Sequence, residues 1–543
     1  MTEYCIALDI GTSGFRCQAL DRATGETLAT SVTARHPIPG MNVIDHVNYA
    51  MVAGEEVANG LMIDAANKLF ASLGIDLSKV STVAICGNPF QLSLFQNIEI
   101  RDLAYAGKNM LESLGVVSPP RDGDVVKASD LGLRGMPDAV LIIPPAVTHE
   151  IGADAIAMLM ITGVLDSKEP CLVVDYGTNA EMALIVDGKV YTGSAAAGPA
   201  LEGQQIERGM LAAPGAIADA DITDGGWRCS IIDESMTTRE GDVVDPRTGI
   251  TASAGAMHKK AVGITGTGVV AALCCGLEAG MIHPPKIDAP DGRLHLQDGV
   301  CISSADVDEA GKAIGALRAG FLTLLHEAGL WVEDVRLAYM SGASGLYVDA
   351  VKALRIGMVV PGAERIIQFG NTSIELARRI ALGKVDMDDL RGFAKRLRAT
   401  HCMFATAQTF KDIYAVEYSL WCCGMPMSEY NNMLDIYGLP HISEPTASPS
   451  VSRISATDLP DAEKVRVNIL YDTGTVLKGA IDGCIQCGAC ADECPEDAIE
   501  IKEEGGSVFG FVKSDRCAGT ACRRCERACP EGVLQISPFG ISD

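Results

Sequence analysis

Eight cysteines between Cys484 and Cys529 constrain this chain more than any other feature. They run Cys484-x2-Cys487-x2-Cys490-x3-Cys494-Pro495, then Cys517-x4-Cys522-x2-Cys525-x3-Cys529-Pro530. The first run has the bacterial C-x2-C-x2-C-x3-C-P spacing that ligates [4Fe–4S] clusters, with the fourth cysteine serving the other cluster. Three closely spaced thiolates on one loop grip three corners of a cube, and the cysteine before proline points away. One cluster is therefore expected on Cys484, Cys487, Cys490 and Cys529, the other on Cys517, Cys522, Cys525 and Cys494. Crossed ligation of this kind would staple a domain too small to build a core of its own.

The second run departs from the pattern, because its first gap is four residues rather than two. C-x4-C-x2-C also opens the plant-type [2Fe–2S] pattern. The Cys529-Pro530 ending and the complete bacterial run upstream favour a second [4Fe–4S] cluster with a widened loop. A zinc ribbon would want four ligands in two pairs, and eight cysteines with two Cys-Pro endings fit that poorly, as they fit a disulfide knot. The spacing says that electrons move through the protein, and leaves the acceptor open.

At 543 residues the chain is long enough for three or four domains, and 48% hydrophobic with 21% charged residues describes an ordinary globular protein. A net charge of −26 disfavours nucleic acid and anionic membrane surfaces. Residues 1–5 carry no basic segment and lead straight into a strand, so no signal peptide is expected. Ala261–Leu277 lacks charges but is short for a membrane span and is broken by Gly263, Gly266, Gly268 and Gly276. The cysteines outside the two runs are scattered, as expected of reduced thiols in a cytoplasmic protein.

Residues 4–9 read as a buried strand that ends in Asp9-Ile-Gly11-Thr12-Ser13-Gly14 before a second strand. Such a glycine-rich hairpin brings backbone N–H groups close to an anion, and an Asp at the strand end can hold a metal ion through water. The arrangement recurs: 171–175 read as a strand ending in Asp175-Tyr-Gly177-Thr178-Asn179, followed by another strand and an Asp187-Gly188 hairpin turn. Two copies of strand–Asp-x-Gly-Thr–strand suggest a duplicated fold gripping one phosphate chain from both sides. Glu55–Leu73 reads as a helix, Val80–Ile85 as a strand, Ile151–Leu165 as a buried helix and 376–436 as helices. Met41–His46 reads as a solvated surface loop, with His46 a weak candidate for touching a partner. His401-Cys402, Cys422-Cys423 and Cys274-Cys275 match no common metal spacing and read as buried structural residues. Residues 441–460, rich in Pro and Ser, read as a polar linker, and Val465–Leu470 as a strand leading into the cysteine-rich tail.

The paired loops resemble the phosphate loops of the actin, sugar kinase and heat-shock-protein ATPase superfamily. Gly263-Ile-Thr-Gly266-Thr-Gly268, which turns into a helical pattern, follows in the same order. Tyr339-Met-Ser341-Gly342-Ala-Ser344-Gly345 resembles the adenosine-binding segment of that superfamily. Ala200–Gly203, Arg208–Met210 and Gly370–Ser373 resemble one branch, the reductive activators of corrinoid proteins. The C-terminal ferredoxin narrows the resemblance to the methylamine methyltransferase corrinoid protein reductive activases of methanogenic archaea. Bacterial members of the branch carry an N-terminal [2Fe–2S] domain, which is not expected here because Asp9 already lies in the first strand.

The resemblance implies an α/β fold: a duplicated actin-like ATPase with ribonuclease H-like halves at 1–170 and 171–440. A linker at 441–475 and a small α+β bacterial-ferredoxin-type domain at 476–543 would complete the chain. It further implies ATP and Mg²⁺ alongside two [4Fe–4S] clusters. Gly11, Thr12, Ser13, Gly14, Gly177, Thr178 and Asn179 would cradle phosphates, with Gly266, Gly268, Gly342 and Gly345 completing the nucleotide site. Asp9 and Asp175 would hold hydrated Mg²⁺, and one of them or Glu202 would orient the attacking water. The expected reaction is ATP-dependent reduction of cob(II)alamin to cob(I)alamin in methylamine corrinoid proteins, in support of methanogenesis, with electrons from an unidentified low-potential donor. Two alternatives are an ATP-driven donor resembling activators of 2-hydroxyacyl-CoA dehydratases and a kinase-like or actin-like ATPase with a structural ferredoxin. The first usually carries a single cluster at a dimer interface, and no sugar-site motif supports the second.

Overall fold

The computed structural model describes residues 3–40, 42–104, 108–177, 179–202, 205–494 and 496–542. The chain forms two compact units that interleave in sequence. The first comprises Met1–Ala157, Ser373–Arg396 and Asp461–Asp543, the second Met158–Thr372 and Leu397–Pro460.

The first unit is built on strands β1 (Tyr4–Gly11), β2 (Gly14–Asp21), β3 (Thr27–Thr33), β4 (Val80–Gly87), β5 (Asp124–Lys127) and β6 (Val140–Ile143). β1 lies at the centre, antiparallel to β2 and parallel to β4, and its Ile6, Ala7, Leu8 and Ile10 are fully buried. A strand covered on both faces reads as a continuous apolar run, and this is why residues 4–9 were legible as buried. Helix α1 (Val43–Ala53) and α2 (Glu55–Ala71) follow, the latter burying Ala58, Leu61, Met62, Ala65, Ala66, Leu69 and Phe70 at helical spacing. Helix α3 (Pro89–Phe95) starts with Asn88 as cap and proline in its first turn.

The second unit repeats the pattern with β7 (Cys171–Tyr176), β8 (Ala180–Val186) and β9 (Lys189–Ala195). β7 is antiparallel to β8 and parallel to the strand Leu337–Ser341, as β1 is to β2 and β4. Asp187 and Gly188, both at positive φ, make the expected two-residue turn between β8 and β9. The 25-residue helix Ser304–Ala328 starts in a Ser303/Asp306 capping box and ends at Gly329 in the left-handed region. A separate five-stranded sheet spans Ala216–Ile264.

The cysteine-rich tail folds on a four-stranded antiparallel sheet of Ile499–Glu504, Ser507–Lys513, Val476–Ala480 and Gly540–Ile541. Among the described residues no helix is long and apolar enough to cross a membrane.

Four expectations change. The stretch 441–475 is not a plain linker. Ser450–Arg453 adds a parallel strand to Arg365–Gln368, while Val467–Leu470, within the strand expected at 465–470, adds one to β3. Open sheet edges offer unpaired backbone groups, and an extended polar segment satisfies them whatever its composition. The segment 171–440 is also interrupted, since Ser373–Arg396 packs into the first unit. His46 is not in a solvated loop: it is fully buried on α1, whose start is set by Asn42 accepting from the Asp45 N–H at 2.9 Å. Cys423 is exposed and Cys422 half-buried, so only Cys274 and Cys275 of the paired cysteines are buried.

Candidate functional site

The tail brings its eight cysteines together in two groups of four. Cys484, Cys487, Cys490 and Cys529 line one cavity with Ile485, Ile501 and Val533. Cys494, Cys517, Cys522 and Cys525 line another, whose wall includes Pro39 and Tyr49. Each run thus sends its last cysteine to the other group. The loops turn through residues in the left-handed region, Gln486 and Gly488 in the first run, Gly519 and Arg523 in the second. Ala498 N–H donates to Cys494 Sγ at 3.2 Å, and Gln486 N–H to Cys484 Sγ at 3.4 Å.

Burial pushes the Cys525 thiol up to about 12, with the neighbouring Cys517 adding to the effect. Burial likewise lifts Cys517 to about 11, and raises Cys490. Crowded buried thiols ionise only against a compensating positive charge, so this donor set fits an iron–sulfur group. Among the described residues no three metal-binding side chains converge as they would on one ion. Instead, four thiols surround each cavity.

In the first unit Asp9 ends buried at the tip of β1, and Arg16 Nη1 donates to its Oδ2 at 3.4 Å. Gly11 pairs with Gly14 across the hairpin. A Cβ on Gly14 would stand 2.8 Å from Thr33 Oγ1, and that hydroxyl accepts the Phe15 N–H at 2.8 Å. Only glycine lets the tip lie this close to β3. Thr12 and Ser13 sit half-buried between the two glycines. Thr12 Oγ1 accepts from Asn88 Nδ2 at 3.3 Å. Close to Asp9 is Asp154, whose carboxyl is pushed up to about 6, mainly by burial and then by repulsion from Asp9.

In the second unit Asp175 is half-buried, and Ser341 Oγ donates to its Oδ2 at 3.0 Å. Gly342, at φ +81°, lies so close that a Cβ would stand 2.5 Å from Asp175 Oδ1. Gly345 packs against the Tyr176 ring, where a Cβ would be 3.1 Å from Cδ2. A cavity is lined by Tyr176, Gly177, Gly266, Thr267, Ser344 and Val348. Thr265 caps the helix Gly266–Glu278 by accepting the Gly268 N–H at 3.1 Å. Gly268 itself faces away from that cavity, for a Cβ there would meet Ile217 O at 2.3 Å. Asn179 is half-buried beside Gly177. Thr178 and the Glu202 side chain lie outside the described residues.

Sequence reasoning missed Asp154, Arg16 and Ser341 as neighbours of the two aspartates, and Asn88 as a partner of Thr12. Asp154 had a signal, a lone acid near the start of the apolar run Ile151–Leu165. Asn88-Pro89 had one too, as a cap followed by proline. Arg16 and Ser341 meet their aspartates only through strand pairing.

Comparison with known proteins fits this arrangement. Residues 4–167 match the family model described as "RACo middle region", and 169–431 match "C-terminal domain of RACo the ASKHA domain". Residues 483–533 match "4Fe-4S dicluster domain". The "[Co(II) methylated amine-specific corrinoid protein] reductase" of Methanosarcina barkeri is 47% identical over 95% of this chain and 96% of its own length. The "Corrinoid activation enzyme RamQ" of Eubacterium limosum is 25% identical over 76% of this chain and 69% of its own. A solved structure, "Reductive activator for corrinoid,iron-sulfur protein", shares the fold with a TM-score of 0.61 at 23% identity, covering 77% of this chain and 66% of that one. With duplicated ATPase loops, an iron–sulfur tail and near full-length identity to the M. barkeri reductase, the chain belongs to the family of corrinoid-protein reductive activators.

Proposed function

We propose that this protein spends ATP to move one electron at a time onto the cob(II)alamin of a methylamine corrinoid protein, leaving cob(I)alamin, the form that accepts a methyl group. The identity to the M. barkeri reductase over almost the whole chain carries this reading. The two four-cysteine cavities support two [4Fe–4S] clusters, each bridging both runs. When bound, the clusters supply one-electron reduction at low potential. The electron comes from a low-potential one-electron donor protein, and ATP and water leave as ADP, phosphate and a proton.

Asp9 and Asp175 would hold Mg²⁺ through water, and the backbone N–H groups of 11–14 and 177–179 would receive the phosphates. Phosphoryl transfer to water needs positioning and charge neutralisation more than covalent chemistry, so a set of loops with few reactive side chains suffices. One of these aspartates or Glu202 would orient the attacking water. Gly342 and Gly345 let backbone close over the Asp175 loop and Gly266 lines the cavity beside it, which suits the nucleoside end. A reducing cytoplasm suits the many free thiols. ATP favours reduction only as far as it binds the oxidised and reduced complexes differently, and each tenfold difference is worth about 59 mV for one electron.

The test is anaerobic spectroscopy of a cob(II)alamin-bearing methylamine corrinoid protein mixed with this protein, reductant and Mg-ATP. Cob(I)alamin is expected only when all are present. Asp175→Ala should keep redox-active clusters and lose reduction, and Cys487→Ala should keep ATP hydrolysis and lose reduction. Normal reduction by the Cys487→Ala variant would sink the reading.

A further inference from the structure

The widened gap in the second cysteine run has a structural use. It carries Gly519, at φ +67°, against the segment just before α1: a Cβ on Gly519 would stand 2.7 Å from Gly40 Cα. Gly40 N–H donates to Cys517 O at 2.9 Å. The departure from the bacterial spacing is therefore where the second thiol group docks on the ATPase fold, inside one compact unit.

From Gly40 a connected set of buried polar groups leads back to the phosphate hairpin. A Cβ on Gly40 would stand 3.2 Å from His46 Cδ2, so the His46 ring lies directly against this backbone. His46 stacks on His36 with ring centroids 4.0 Å apart and planes 24° apart. The Gln91 amide bridges the pair, its Oε1 3.1 Å from His36 Nε2 and its Nε2 2.8 Å from His46 Nδ1. His36, His46 and Gln91 are 3%, 0% and 0% exposed. The tautomers follow. His36 Nδ1 accepts from the Ile38 N–H at 3.1 Å, so its proton is on Nε2 and is donated to Gln91 Oε1. Gln91 Nε2 then donates to His46 Nδ1. Gln91 is also tied to the nucleotide side: its backbone N–H donates to Asn88 Oδ1 at 2.9 Å, and Asn88 Nδ2 donates to Thr12 Oγ1 at 3.3 Å. His36 meets the base of the same hairpin edge-on through Phe15, at 5.3 Å.

We propose that Gln91, with His36 and His46, positions the Cys517 loop according to what the Thr12 loop holds, so that nucleotide binding shifts the reduction potential of the cluster on Cys494, Cys517, Cys522 and Cys525. This rests on the proposed function, since it needs both ligands. A phosphate that takes over the Thr12 hydroxyl releases Asn88. The first turn of α3 and the Gln91 bridge then settle differently against His46 and Gly40. Hydrogen bonds and backbone dipoles around the sulfurs are among the groups that set a cluster's potential. A packed, hydrogen-bonded network passes on a displacement that a loose one would absorb. A merely structural Gln91 would affect stability and leave the two ligands unlinked.

The experiment is a potentiometric EPR titration of the full-length anaerobic protein with and without Mg-ATP, together with ATP affinity in the oxidised and reduced states. By linkage the two readouts must agree, with about 59 mV of potential shift for each tenfold change in affinity. Wild type should show a shift in one cluster, identified as the signal missing from Cys494→Ala. Gln91→Leu should keep its iron and its ATP binding while its ATP affinity becomes the same in both redox states. If Gln91→Leu does not fold, Asn88→Ser retains a helix cap but lacks the side-chain amide that reaches Thr12, and should lose the redox dependence of ATP affinity. No shift in wild type that binds ATP and both clusters, or a full shift in the folded variants, overturns this proposal alone. Failure of wild type to bind ATP or iron overturns the proposed function beneath it.

Discussion

Cys494 shows how far a residue's role can lie from its neighbours in sequence. It belongs to the first run yet lines the cavity of Cys517, Cys522 and Cys525. Cys494→Ala should therefore cost the second cluster and spare the first, leaving about four of eight irons per chain by anaerobic iron analysis. Loss of the cluster on Cys484, Cys487 and Cys490 instead would show that ligation is not crossed. The histidine pair makes a second prediction at this scale. Burial pushes His46 down to about 3, and burial with repulsion from His46 pushes His36 well below its usual range. Both are neutral in the fold but take up protons in the unfolded chain below about pH 6.5. The unfolded state then binds more protons, so stability is complete above that pH and falls as the medium is acidified, by about 1.4 kcal/mol per pH unit for each histidine. His46→Gln should make the thermal midpoint fall less between pH 7 and pH 5.5 than in wild type, and an unchanged slope would contradict the assignment.

Single elements set the approach distances in the second unit. The helix Ser304–Ala328 packs along Gln408–Cys423, and glycine at 311 and 315 makes the contact possible. A Cβ on Gly311 would stand 2.6 Å from Trp421 Cβ, and one on Gly315 2.9 Å from Glu417 Cβ. Glu417 forms an ion pair with Arg318 in the core, its Oε1 3.0 Å from Nε, and Tyr430 donates to the same carboxylate. Gly311→Ala overpacks this interface and should destabilise the unit by about 1–3 kcal/mol in chemical denaturation. Glu417→Ala leaves the Arg318 charge buried without its partner, for a loss of roughly 3–5 kcal/mol. A variant as stable as wild type at either position would show that the helices re-seat freely.

At the scale of the molecule, the iron–sulfur tail is part of the first unit rather than a tethered appendage. Val467–Leu470 pairs with β3, Arg35 Nη2 donates to Glu496 Oε2 at 2.7 Å, and Lys68 Nζ donates to Gly474 O at 3.0 Å. Asp461 accepts from Thr27 and Arg378, closing the returning chain onto β3 and the helix Thr372–Ala381. Limited proteolysis that nicks residues 441–449 should leave iron comigrating with the N-terminal fragment in gel filtration, because those contacts lie beyond the nick. An iron-bearing fragment running free would show that the docking is weak.

The sequence by itself determined the chemistry of the chain. Cysteine spacing implied crossed iron–sulfur ligation, because loop length limits which corners of a cube one run can reach. The two strand–Asp-x-Gly-Thr–strand segments announced a duplicated ATPase, since a buried strand followed by a glycine turn leaves a local pattern that pairing then completes. What only the tertiary structure decided is everything carried by contacts between distant segments. His46 looked like a loop residue because its burial depends on His36 in the preceding segment and on Gln91, 45 residues away in the chain. Ser450–Arg453, polar and exposed, became a strand because a sheet edge needed hydrogen-bond partners, and no side-chain periodicity records that need. The four-residue gap before Cys522 was visible as an irregularity, but its meaning depended on Gly40, whose approach to Gly519 exists only once the tail has docked.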